Sequence, residues 1–382
     1  MKKTRLFTPG PTPLIPESQQ AMSLPMPHHR TPEFSRLMLQ CRNMLQKIFR
    51  TNNELVILST TGTGAMEAAV ANLHRAGDTV LVVSCGKFGE RWAKIAKAFR
   101  LDTRILTKPY GSRASLREII ESLEENPGCR SLLIQACETS TGTVNDIRKI
   151  ASGVRERFPE IILIVDGITA VGCEVLETDE WDLDVVVSGS QKSFGIPPGL
   201  SFVSLSKRAL DALERAAGGP YYHLSLAREL AGQKECSPAF TPSIALIMAL
   251  RESCSIILEF GLEKVIRDAE VMSTATRAGL RALGFRILSS APANALTAAF
   301  PPEGISAEAL REKLSTRFGV RVAGGQGEVA GKIIRIAHLG YFDILDSCTV
   351  LSALELALGE MGGNPLPGAG VSAALEVANR HS

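Results

Sequence analysis

Six short apolar runs occupy the chain between residues 54 and 206, at 54–59, 79–84, 131–136, 161–165, 185–188 and 201–206, and none alternates with polar residues. A strand with one face in water alternates; a run without alternation is covered on both faces. Amphipathic stretches at 65–73, 90–99 and 116–123 lie between several of them. Buried strands separated by helices predict an α/β architecture around a mostly parallel sheet. Ahead of it, residues 32–49 read as a helix, with Thr31 as cap, Pro32 in the first turn and Glu33 beside it. Near Leu250 the pattern changes. Helices are expected at 243–259 and 262–283, strands at 296–300 and 333–337, a helix at 344–358 and a last one at 371–379. The expected organisation is an arm over residues 1–20, a large domain over 21–250 and a smaller α+β domain over 251–382. The arm is read as extended because Pro9, Pro11, Pro13 and Pro16 oppose a helix. At about 150 residues per domain, the length accommodates two large units.

Composition removes several classes of function. Lysine and arginine number 42 against 40 acidic residues, a net charge of +2, so there is no electrostatic case for nucleic acid or an anionic membrane. The eight cysteines include no C-x-x-C pair and no zinc-site spacing; the expectation is no metal, no disulfide framework and a reducing cytoplasm. A basic start, Met1-Lys2-Lys3, is followed by prolines where a secretion signal needs an apolar run. No apolar stretch is long enough to span a bilayer.

Open parallel sheets bind ligands at the carboxyl ends of their strands, and four such ends carry unusual residues. Ser59-Thr60-Thr61-Gly62-Thr63-Gly64 follows a strand and opens a helix. It is either an anion site, most simply for a phosphate, or a tight strand–helix turn. Asp166-Gly167 ends a five-residue apolar strand. Its carboxylate is either a cap or a partner for a cationic ring nitrogen. Ser188-Gly189-Ser190-Gln191-Lys192 places a lysine among small residues and prolines, where desolvation lowers an amine's pKa and favours Schiff-base chemistry. Glu138-Thr139-Ser140-Thr141-Gly142 is a fourth, polar segment. His28-His29-Arg30 reads as a polar loop, or as a group that closes the pocket or meets a partner subunit.

In this order, the four segments resemble the class V aminotransferases of the fold-type I pyridoxal-phosphate superfamily. The alanine–glyoxylate and serine–glyoxylate (serine–pyruvate) aminotransferases are the nearest in pattern, from Thr8-Pro9-Gly10-Pro11-Thr12 to Arg335-Ile336-Ala337-His338-Leu339-Gly340. The resemblance implies pyridoxal 5′-phosphate as cofactor, Lys192 as its Schiff-base residue and Asp166 against the pyridinium nitrogen. It implies a phosphate site of Thr61, Gly62, Thr63 and Gln191, where the family often has Ser-Gly-His for the first three. Phe88 matches the residue that stacks on the ring, Ile168 an apolar contact on its other face, and Ser140 a hydroxyl near the cofactor. Arg335 matches the arginine for the substrate α-carboxylate, with Gly10 near the substrate. Thr241 matches a residue that reaches the phosphate from a partner subunit, which implies a homodimer; Pro238 stands where relatives carry a tyrosine. With one arginine assigned to substrate, the expected donor is alanine or serine and the acceptor glyoxylate or pyruvate. Three alternatives stay open: a 2-aminoethylphosphonate–pyruvate-type transaminase, a cysteine desulfurase-like lyase, and a non-catalytic subunit like relatives labelled soluble hydrogenase. Gln191 and Phe88 stand where the desulfurases carry histidines.

Overall fold

The computed structural model describes residues 3–380. Met1 and Lys2 of the basic start, and the last two residues of the expected small domain, lie outside the described residues.

The sheet is built from β1 (Glu54–Leu58), β2 (Thr79–Ser84), β3 (Asp102–Thr107), β4 (Ser131–Gln135), β5 (Ile162–Asp166), β6 (Val185–Gly189) and β7 (Ser201–Leu205), in spatial order β1-β7-β6-β5-β4-β2-β3. Only β7 runs against its neighbours. The unbroken apolar runs divide between two cores by the two-residue period of a strand. Leu55 and Ile57 pack with Phe34, Met38 and Leu45 of the helix Pro32–Phe49. Val56 and Leu58 pack on the opposite face with Met66 and Val70 of the helix Gly62–Leu73. The strand the sequence does not announce is β3. It lies at the sheet's edge with Arg104 and Ile105 exposed, so it has no continuous apolar run to read.

Helix Pro32–Phe49 begins as expected, with Thr31 Oγ1 accepting from Phe34 N. The arm requires a correction. Residues Pro16–Ala21 form a helix, because Pro16 sits in its first turn, where no N–H is needed. The rest of the arm is tied down by its own chain. Arg5–Leu6 pairs in parallel with Val320–Arg321, Phe7 is buried, and Ile15 N donates to Gly195 O at 2.8 Å. Beyond helix Ile244–Phe260, a four-stranded antiparallel sheet forms in the order Arg286–Ile287, Leu296–Phe300, Ile334–Ala337, Ala323–Gly324. Helices Leu262–Ala282, Ile344–Glu360 and Ala369–Arg380 cover it, and Phe7 joins their core. Two of these four strands are only two residues long, too short to leave a pattern.

Candidate active site

All strands but β7 point the same way, so the segments following β1, β2, β4, β5 and β6 meet at one edge. After β1, Thr61 caps helix Gly62–Leu73 without a side-chain bond. Gly64 N and Ala65 N turn back to Thr61 O, and the N–H groups of Gly62 and Thr63 have no acceptor among the described residues. Such a helix start is a ready anion site. Gly62 has no room for a side chain: a Cβ there would lie 2.6 Å from Ile168 Cδ1. A Cβ on Gly189, at the end of β6, would lie 3.1 Å from Gln191 Oε1 and 3.4 Å from the Gly62 backbone. Gln191 Oε1, beside the turn, is buried with no partner among the described residues.

Lys192 is buried, and its Nζ donates to Pro9 O of the arm. Gly10 passes so close that a Cβ there would lie 2.8 Å from Lys192 Cε, and its φ of +136° favours glycine as well. Thr12 Oγ1 donates to Lys192 O at 2.9 Å. Burial, then the charge of Arg335, pulls the Lys192 amine down to about 8. Asp166 is buried too. Its Oδ1 accepts from Ile168 N at 2.9 Å, and burial pushes its carboxyl up to about 7. Arg335 donates through Nη1 to Thr139 O at 2.9 Å and through Nε to Gly324 O at 2.8 Å. Burial draws it down to about 10, so it stays a cation near neutrality.

Two residues come into view only in three dimensions. Arg91 Nη1 donates to Thr63 Oγ1 at 3.0 Å, and its guanidinium lies 4.6 Å from the centroid of the Phe88 ring. Its signal is an i, i+3 spacing from Phe88, hidden from the sequence because the helix starts at Lys87 rather than at residue 90. Glu138 is fully buried beside Ser140 and the Phe88 turn. Ser140 Oγ donates to Glu138 Oε1 at 2.6 Å and accepts from Lys87 N at 2.9 Å, so its one proton is already committed.

Thr241 is exposed on the loop before helix Ile244–Phe260, near Ser59, and makes no bond to the Thr61–Thr63 turn. Arg30 is occupied elsewhere: its Nη1 bonds Ser237 Oγ at 2.5 Å and Pro238 O at 3.2 Å. His28 and His29 lie against each other, 4.6 Å between ring centroids. All eight cysteines are free thiols. Burial holds Cys137, near Lys192, far above the range in which a thiolate forms. Among the described residues no three His, Cys, Asp or Glu side chains gather as metal ligands, and no helix is long and apolar enough to cross a membrane.

The family model for aminotransferase class-V matches residues 17–339, which hold this whole edge of the sheet. The chain belongs to the class-V aminotransferases. It is 37% identical to the soluble hydrogenase small subunit of Synechococcus sp., covering 98% of both chains. It superposes on an aspartate aminotransferase from Thermus thermophilus with a TM-score of 0.87 and 34% identity, over 93% of this chain and 99% of that one. An alanine–glyoxylate aminotransferase from Nostoc sp. gives 0.89 and 30%, over 94% and 96%. The fold is thus that of the fold-type I aminotransferases, and the chain is a transaminase.

Proposed function

We propose that this class-V aminotransferase uses pyridoxal 5′-phosphate to move an amino group from alanine or serine to glyoxylate or pyruvate. The observation that carries the reading is Lys192: a buried amine just past a strand end, in contact with the Pro9 carbonyl, drawn down to about 8 by burial and then by the charge of Arg335. An amine with that pKa is neutral often enough to add to an aldehyde. The residues fit the cofactor. Free N–H groups of Gly62 and Thr63 suit a phosphate, and Gln191 could add its Nε2 donor beside them. Phe88 and Ile168 offer apolar surfaces for a ring, and a buried carboxylate without a cation in contact, Asp166, suits a protonated ring nitrogen.

Bound there, the cofactor supplies an electron sink for the charge left when a Cα proton departs. With the cofactor in place, Lys192 Nζ would take that proton. Asp166 keeps the ring nitrogen charged, and Arg335 grips the α-carboxylate through its remaining N–H edge. Gly10 and the Pro9 carbonyl close the lysine side of the pocket, and Ser140, held by Glu138, would stand near the cofactor. We assign Thr241 to the phosphate of a partner subunit in a homodimer. Its exposure supports this; the arm does not, since its own chain holds it. The division into an arm to residue 20, a large domain to 250 and a small domain beyond belongs to this reading, as does a cytoplasmic location, which eight unpaired thiols support.

The neutral donor rests on Arg335. A dicarboxylate needs a second cation, since a carboxylate buried unpaired is strongly unfavourable. Arg30 is committed to Ser237 and Pro238, and Arg91 to the phosphate turn. The test is kcat/KM for alanine and serine against aspartate and glutamate. Neutral donors should win; a dicarboxylate ahead by about tenfold, or about 1.4 kcal/mol, refutes this choice and points to Arg91. Sedimentation of an active monomer would refute the shared site.

A further inference from the structure

We infer that Glu138 is a positioning residue for this reaction, holding Phe88 and Ser140 in place through a buried carboxylate bonded only to neutral donors. The inference rests on the proposed function.

Burying a carboxylate costs several kcal/mol unless donors replace its water. The chain buries another one, Asp184, and gives it two guanidinium groups: Arg208 Nε bonds Oδ1 at 2.8 Å and Arg155 Nη2 bonds Oδ2. Glu138 has no ion pair among the described residues. Its four donors are all neutral: Phe88 N at 3.0 Å, Gly89 N at 3.0 Å, Ser140 N at 3.0 Å and Ser140 Oγ at 2.6 Å. Two of them are the second and third N–H groups of the helix Lys87–Ala98, whose cap residue Gly86 supplies no side chain. Glu138 is therefore the helix's cap, brought from another strand, with the favourable end of the helix dipole aimed at it.

The fit is close. A Cβ on Gly86 would lie 2.5 Å from both Glu138 Cγ and Ser140 Oγ, so the turn can approach only as glycine. The neighbouring residue extends the effect. Thr139 O receives Arg335 Nη1, and Thr139 Oγ1 meets Thr169 Oγ1 at 2.6 Å, in the loop after Asp166. One three-residue segment thus braces the ring face at Phe88, the carboxylate-binding arginine and the loop carrying Asp166. Neutral donors alone also serve the buried Glu229, which accepts from Gln233 Nε2 and Ala239 N; what sets Glu138 apart is that its donors belong to the Phe88 turn and to Ser140.

Glu138→Gln separates this role from plain stability, because its NH₂ would face N–H groups that need an acceptor. In the holoenzyme, we expect visible circular dichroism per bound pyridoxal phosphate to fall by about half or more. We expect kcat to fall between about tenfold and a hundredfold, the range for small misplacements, with KM for the donor changed much less. Glu138→Asp, which keeps the charge but shortens the reach, should lie between, and carries the test if the glutamine variant does not fold. If the variants lose only thermal stability, with dichroism and kcat within twofold of wild type, the role is structural and the inference is overturned. If the wild-type protein itself shows no cofactor band, the functional reading falls first, and this role with it.

Discussion

The two edges of the central sheet treat buried charge in opposite ways. At the amino edge, just before β6, Asp184 is enclosed by Arg155, Arg208, the Ser206 hydroxyl at 2.7 Å and Leu163 N at 2.8 Å. Every acceptor site is used and the charge is cancelled. At the carboxyl edge, Asp166 has one backbone donor, Glu138 has neutral donors only, and Lys192 rests on a carbonyl. The consequence is visible in their protonation: burial drives Asp166 up to about 7 and Lys192 down to about 8. One edge spends its charges on the fold. The other holds them uncancelled, ready for a ligand that brings opposite charge, as perturbed groups in a cleft often are.

The largest expected effect tests the carboxyl edge. Lys192→Ala should cost about 10²–10⁴-fold in kcat, the contribution of a positioned acid–base group, with little change in melting temperature. Borohydride reduction of the wild type should place the pyridoxyl label on Lys192; a label on Lys207 would end the assignment. Next comes the amino edge. Asp184→Ala removes the buried acceptor of Arg155, Arg208, Ser206 and Leu163 N, while both arginines keep Asp182; the loss should approach but not exceed the roughly 3–5 kcal/mol of a broken buried pair. Denaturant titration should show that loss, while kcat per folded molecule stays unchanged. A large fall in kcat there would dissolve the contrast between the edges.

The smallest effect has opposite signs with and without cofactor. Burial raises the Asp166 carboxyl from 3.8 to about 7. In the cofactor-free protein it therefore costs stability as pH rises from about 4 to about 7, and the cost is constant above that. Asp166→Asn removes the cost, so the apoprotein variant should gain on wild type across that window. With cofactor, the variant loses a charged hydrogen bond worth about 1.5–3 kcal/mol and should release pyridoxal phosphate more readily. Melting at pH 5 and pH 8, with and without cofactor, reads both signs; equal shifts in all four would show that Asp166 is not the ring's counter-charge.

What the sequence could disclose followed from how local each cause is. Strands buried on both faces betray themselves as unbroken apolar runs, and Ser188 to Lys192 is a contiguous motif. The edge strand Asp102–Thr107 does not, because water takes the place of a second core. The helix at Lys87 starts three residues before its amphipathic pattern, since its cap arrives from Glu138, 49 to 50 positions away. Once that start is known, Phe88 and Arg91 fall on one helix face, and the cation beside the phosphate turn becomes readable. Prolines misled at the arm: Pro16 begins a helix instead of preventing one.

The arm's anchorage also sets a timetable. Its strand Arg5–Leu6 waits for Val320–Arg321, and the carbonyl that meets Lys192 belongs to the same arm. During synthesis, Thr12 and Ile15 can meet Gln191, Lys192 and Gly195 as soon as the central sheet folds, but the outer strand of the arm must wait for Val320–Arg321. The arm therefore closes in two stages: the segment beside the lysine joins with the central sheet, and its outer strand locks only once the second sheet has emerged.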